Sequence, residues 1–281
     1  MRASASRPGA TAATADPGWS PSALAGLRTG SLAGMLAITT ILFTGCSAAP
    51  ASAPPPSDGD ALSGEVTIFA AASLGSAFDE IAAEFTAEHP GVDLTPIVYD
   101  GSSILVTQLL EGAHADVLAT ADERTMATLT DAGLADDPHT FATNSLVVAV
   151  PAGNPGRIES LADLAEATTV LCAPEVPCGA ASQRLLEAAG ITVKPASLEQ
   201  NVSAVLQKIA AGEADAGLVY ATDVLDDDAV ESFAPEGAAD VVNSYPIVAL
   251  DEATDAGRAF VEFVLGVDGQ RILAAHGFGA P

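Results

Sequence analysis

Between Glu65 and His276, short apolar runs alternate with amphipathic stretches, and this alternation restricts the chain to few folds. Glu65–Ala70, Val92–Tyr99, Ala115–Thr120, Leu146–Val150, Thr169–Ala173, Ala214–Tyr220 and Ile247–Leu250 read as strands. Helices are expected at Gly75–Glu88, Ser103–Glu111, from Asp122 to near Gly133, at Leu161–Ala167, Gly179–Ala189 and Val202–Ala211, and around Ala256–Leu265 and Gly269–His276. In the first helix Phe78, Ile81, Ala82 and Phe85 share one face. Asp122 and Ser160 stand where N-caps belong, and Gly112, Gly190 and Gly212 stop helices. Strand and helix in alternation build mostly parallel sheets covered by helices, so the fold class is α/β.

The first sixty residues carry no such pattern. Residues 1–30 are rich in small residues and Pro and contain Arg2, Arg7 and Arg28; an apolar run from Leu32 to Phe43 follows, then Thr44-Gly45-Cys46-Ser47. About a dozen residues are too few for a permanent bilayer-spanning helix, which takes roughly 20. Basic residues, a short apolar run and small residues describe a secretion signal over residues 1–45. Small residues ending in Cys46 also resemble the lipobox of bacterial lipoproteins, with Phe43 where Leu is usual and Leu42 one step back. That resemblance implies a lipid on Cys46. Residues 46–61, with the run APASAPPPSDGD, read as a disordered Pro/Ser/Ala tether.

The formal charge is −27, and removing residues 1–45 takes away Arg2, Arg7, Arg28 and Asp16, leaving 7 basic and 36 acidic side chains, or −29. Such a surface argues against nucleic acid and against anionic membrane as partners, and keeps an Ala-rich chain soluble. Cys172 and Cys178 are the other two cysteines, in a compartment that permits a disulfide. No Gly-x-Ser-x-Gly elbow is present, and His89, His114, His139 and His276 accompany no nucleophile motif, so no enzyme and no cofactor is expected. A bare transition-metal site would want His, carboxylate or paired Tyr ligands, whereas Tyr99, Tyr220 and Tyr245 are scattered along the chain.

The strand-to-helix junctions carry more information. Ala72-Ser73, Gly101-Ser102-Ser103, Pro177-Cys178-Gly179 and Asn201-Val202-Ser203 are small or hydroxylic, and none contains a basic residue. Ligands of open α/β sheets bind beyond the carboxyl ends of strands, where these junctions fall. Helix starts present free N–H groups and partial positive charge, so several of them together can hold an anion without Lys or Arg. Taken singly, Ser and Asn at such positions are ordinary caps.

VTIFAAASLGSAFDEI at 66–81, Gly101-Ser102-Ser103 with Gln108, Ala115-Asp116-Val117, Asn144-Ser145-Leu146-Val147-Val148, PEVPCG at 174–179 and Gly217-Leu218-Val219-Tyr220 follow one another in order. Together they resemble the molybdate-binding, substrate-capturing lipoproteins of bacterial ABC importers, over Gly64 to Phe278. The resemblance implies a two-lobed, periplasmic-binding-protein-like clamp, each lobe a mostly parallel sheet flanked by helices, joined by crossing strands. Lobe one would be residues 62–143 plus 245–281 and lobe two 144–244. It further implies a tetrahedral dianion, molybdate and also tungstate, held by the Ser73 and Ser102 hydroxyls, the backbone at Cys178 and Val202, and the Tyr220 hydroxyl. Sulfate, of the same charge and shape, is the alternative ligand. Asp116 and Asp223 read as structural. Cys178 stands where relatives commonly have Ala, and nearby Cys172 suggests that the exchange came with a loop-closing Cys172–Cys178 disulfide. The expected setting is a monomer on the outer face of the cytoplasmic membrane, held by lipid alone and serving the permease subunits of an importer.

Overall fold

The computed structural model of the protein describes residues 61–225 and 227–281. The expected signal segment, Cys46 and the tether up to residue 60 lie outside the described residues.

The chain runs β1 (Ser63–Val66), β2 (Ile68–Ala71), α1 (Gly75–Glu88), β3 (Gly91–Leu94), β4 (Val98–Asp100), α2 (Ser102–Leu110), β5 (Val117–Ala119), α3 (Glu123–Asp131) and β6 (His139–Pro151). It continues with β7 (Thr169–Cys172), α4 (Pro177–Ala188), β8 (Ser197–Glu199), α5 (Val202–Ala210), β9 (Ala216–Tyr220), β10 (Val230–Phe233), β11 (Val242–Ala249), α6 (Asp255–Leu265) and α7 (Val267–Ala275). Strands line up as β4-β2-β5-β11-β6-β9-β7-β8, with β10 added to β6 and a separate parallel pair β1-β3. On one side β4, β2 and β5 are parallel; on the other β9, β7 and β8 are parallel. Between them β11 and β6 run antiparallel to each other and to their outer neighbours. This is the two-lobed α/β arrangement, two parallel halves joined by two crossing strands.

The crossing strands are longer than the apolar pattern suggests. β6 begins at His139, seven residues before the expected Leu146, and β11 begins at Val242 rather than Ile247. In each, one part pairs with the other crossing strand and the rest with an outer neighbour, β9 for β6 and β5 for β11, so burial changes along the strand and no single period marks it. Pro246 would argue against a central strand, but the β6–β11 register shifts between Tyr245 and Pro246, where the missing N–H is tolerated. β8 and β10 are also unannounced; both are short and largely exposed.

The helices follow their sequence signals, except that the expected helix Leu161–Ala167 is a short 3-10 stretch, Leu161–Ala165. α1 buries Phe78, Ile81 and Phe85, and the Phe85 ring meets Phe260 of α6 edge-on at 5.3 Å. Asp122, Asn201 and Thr254 cap α3, α5 and α6 by accepting from the backbone N–H three residues on. Asp116 is buried and accepts from the N–H groups of Thr67 and Thr254, pinning β2 and α6 to β5. These contacts fix where the strands of each half end, and therefore where their loops meet.

Candidate functional site

Ser73, Ser102, Cys178, Val202 and Tyr220, far apart in sequence, line one small cavity together with Ala71, Ala72, Asp100, Gly101, Ala121, Pro177 and Asn201. Its volume is about 20 Å³, on a scale where one water needs roughly 10–15 Å³, so only a compact solute fits. Ser73 lies in a short 3-10 turn, Ala72–Leu74, between β2 and α1, and Ser102 opens α2. Cys178 is in the first turn of α4, Val202 opens α5, and Tyr220 ends β9. All are carboxyl-end junctions of the two halves, facing one another.

Neither serine caps its helix. Ser102 is 1% exposed and its Oγ accepts from Ala121 N–H at 3.0 Å, which leaves the hydroxyl proton for another acceptor. Ser73 Oγ is hydrogen-bonded to Tyr245 Oη at 3.0 Å. The N–H groups of Cys178 and Val202 belong to first turns, which have no acceptor within their own helices. None of the backbone hydrogen bonds outside the helices and strands uses them, among the described residues. Tyr220 Oη accepts from Asn243 Nδ2 at 2.7 Å.

Cys172 and Cys178 are joined by a disulfide, with Cα atoms 5.7 Å apart. It draws the first turn of α4 onto the end of β7. Gly179 serves the same approach, because a Cβ there would collide with the Ala173 carbonyl oxygen.

The two halves touch across the cavity. Ser103 Oγ and Arg124 Nη2 both donate to the Glu175 carbonyl, at 2.6 and 3.1 Å. Asn201 Nδ2 donates to Asp100 Oδ1 at 2.9 Å, and Asn243 Nδ2 donates to the Ala121 carbonyl at 2.9 Å. A Cβ on Gly101 would run into the Gln200 carbonyl oxygen, so glycine is what allows the halves to meet there.

No Lys or Arg lines the cavity, but a carboxylate does. Asp100 was not among the expected site residues; its Oδ1 is engaged by Gly101 N–H at 2.7 Å and by Asn201. Tyr245 was also missed, and the tyrosines are not scattered in space: the Tyr220 and Tyr245 rings lie 5.9 Å apart. Burial raises the pKa of both well above the ordinary phenol value, so both stay neutral hydroxyls rather than the phenolates a ferric ion would take. Asp223 accepts from Tyr220 N–H at 2.8 Å, and its carboxyl is raised to about 7 by desolvation, against that bond.

Residues 66–279 match the family model described as bacterial extracellular solute-binding protein. The chain belongs to that family. It is therefore a binder of solutes rather than an enzyme, and works outside the cytoplasm. As a solute-binding protein it is 43% identical over 264 residues to the molybdate-binding protein ModA of Mycobacterium tuberculosis strain H37Rv, covering 91% of this chain and 98% of the relative. Its fold matches the periplasmic molybdate-binding protein of Azotobacter vinelandii at a TM-score of 0.66 and 18% identity, covering 77% of this chain and 99% of that one. The sulfate-binding protein SubI of M. tuberculosis matches at 0.65 and 18%, covering 76% and 86%. The fold alone therefore does not choose the anion.

Proposed function

We infer that the protein captures molybdate outside the cytoplasm for an ABC importer. The observation that carries this is the meeting of two hydroxyls, a phenol and two helix starts in one water-scale cavity without a cation. Molybdate at neutral pH is a dianion that only accepts hydrogen bonds, and these groups can all donate. Each charge-assisted bond contributes about 1.5–3 kcal/mol net. Five or six such bonds offset dehydration and closure and leave about 11–12 kcal/mol, near-nanomolar affinity. The 43% identical relative named for molybdate supports this ligand over sulfate. Tungstate, a dianion of nearly the same size, is expected to enter the same site. Asp100 adds repulsion that two neighbouring donors partly offset.

In this reading Ser73, Ser102, Tyr220 and the backbone at Cys178 and Val202 are the ligands. The lobes are 62–143 with 245–281 and 144–244, turning about β6 and β11. Cys46 carries lipid as the mature N-terminus, residues 46–61 are the tether, and a monomer meets the permease. A thermal-shift panel of molybdate, tungstate, sulfate and phosphate tests the ligand: molybdate should raise the melting temperature most, and a larger shift with sulfate would reassign the protein. Intact-mass analysis of the membrane-extracted protein tests the anchor, with cleavage elsewhere and no acyl chain as the contrary result.

A further inference from the structure

Asn243, on the crossing strand β11 and 2% exposed, stands behind two of the cavity's donors without lining the cavity itself. Its Nδ2 donates to the Ala121 carbonyl at 2.9 Å and to Tyr220 Oη at 2.7 Å. Its Oδ1 accepts from Arg184 Nη2 at 2.9 Å. The N–H of Ala121 donates to Ser102 Oγ at 3.0 Å. An unbroken set of contacts thus runs from Arg184, at the surface of α4, through Asn243 to Tyr220 and, by way of Ala121, to Ser102.

The polarity of this set is dictated by partners that can play only one part. A guanidinium only donates, and a peptide carbonyl only accepts. Turning the Asn243 amide over would lose both bonds, so its nitrogen is held against Tyr220 Oη, which must accept there. The phenol has a single proton, and with its oxygen engaged from behind, that proton is free to turn to the neighbouring Tyr245 hydroxyl or to an anion in the cavity. Ser102 is set in the same way by Ala121. Arg184 takes part in none of the ion pairs among the described residues, so its charge is not spent on a carboxylate within 4.0 Å.

We propose that Arg184 and Asn243 are positioning residues for oxyanion capture: Arg184 fixes the Asn243 amide, and Asn243 turns the Tyr220 proton toward the ligand. This rests on the oxyanion reading of the cavity. An anion that only accepts is favoured by a phenol held as a donor, whereas a ligand that must donate would meet the wrong polarity.

The competing role for Asn243 is mechanical, since it also ties Ala121 to the other half. Double-mutant cycles separate the two. Molybdate is titrated calorimetrically into the full-length protein carrying Arg184→Met, Arg184→Lys or Asn243→Asp, each with Tyr220 and in the Tyr220→Phe background. Arg184 is exposed, so its variants keep the fold, as circular dichroism will verify. Arg184→Met should weaken binding about 3- to 10-fold when Tyr220 is present and less than about 2-fold when it is not, with Arg184→Lys within about 3-fold of wild type. In Asn243→Asp the carboxylate draws the phenol proton to itself. Its loss should be about 100-fold, and about tenfold smaller in the Tyr220→Phe background. Equal losses in both backgrounds would overturn the positioning role while leaving molybdate capture intact. Absence of molybdate heat from the wild type would instead overturn the capture reading, and the positioning role with it.

Discussion

Ser102 and Ser73, proposed ligands, are hydroxyls fixed by protein. Ser102 accepts from Ala121 and keeps its proton, and Ser73 is steadied by Tyr245. Ser102→Ala should remove one charge-assisted donor and weaken molybdate binding by about 1.5–3 kcal/mol, roughly ten- to a hundredfold, by calorimetry. Ser102 caps no helix, but the same substitution should cost about 1–3 kcal/mol of fold stability, because the buried Ala121 N–H loses its acceptor. Asp223 gives a second prediction. Its folded pKa of about 7 lies above the ordinary carboxyl value. The fold is therefore favoured by the protonated form, an advantage present below about pH 4 and lost as pH rises through 7. Asp223→Asn, neutral throughout, should melt increasingly above wild type between pH 5 and 8. After allowance for partial exposure the gain at pH 8 is at most about 2 kcal/mol. A pH-independent difference would contradict it. At this scale four of the residues that share the cavity, Ser73, Ser102, Cys178 and Val202, were legible because small or hydroxylic junctions mark strand ends. Asp100, Tyr245, Asn243 and Arg184 were not legible. Nothing local distinguishes them: Asp100 ends β4 beside Gly101 and Arg184 lies on α4, while only the crossing strand β11 brings Tyr245 and Asn243 to the site.

The elements meet at two close approaches that glycine makes possible. Gly101 faces Gln200 across the halves, and Gly179 lets α4 press on the end of β7. Gly101→Ala should fold, since its φ of −59° suits alanine, but should hold the halves apart. Small-angle scattering with molybdate should then show no compaction; compaction equal to wild type would contradict the contact's role. The Cys172–Cys178 bridge closes a loop with a sequence separation of 6, for which chain entropy gives about 2 kcal/mol. Replacing both cysteines by Ala should lower stability by about that amount in urea titrations and loosen the Cys178 N–H. Most helices could be read from caps, glycine stops and apolar faces. The two crossing strands could not be read to their full length, because each changes partners and burial midway, and Pro246 disguises the second.

As a whole, the molecule is proposed to bind an anion while carrying a formal charge of −27. The conflict is small because fields are screened beyond about 8–10 Å at physiological salt, while first-turn N–H groups and hydroxyls act at contact distance. Among the described residues no helix is long and apolar enough to cross a membrane. Two parallel halves on two crossing strands put the proposed donors at facing strand and helix ends, so capture should depend on both halves at once. Calorimetry of molybdate against the wild type and the Ser102→Ala/Tyr220→Phe double variant, which removes one donor from each half, tests it most directly. The wild type should bind with sub-micromolar affinity and favour molybdate over sulfate, and the double variant should lose about a hundredfold or more. Unchanged molybdate affinity in the double variant would contradict the assignment of the site.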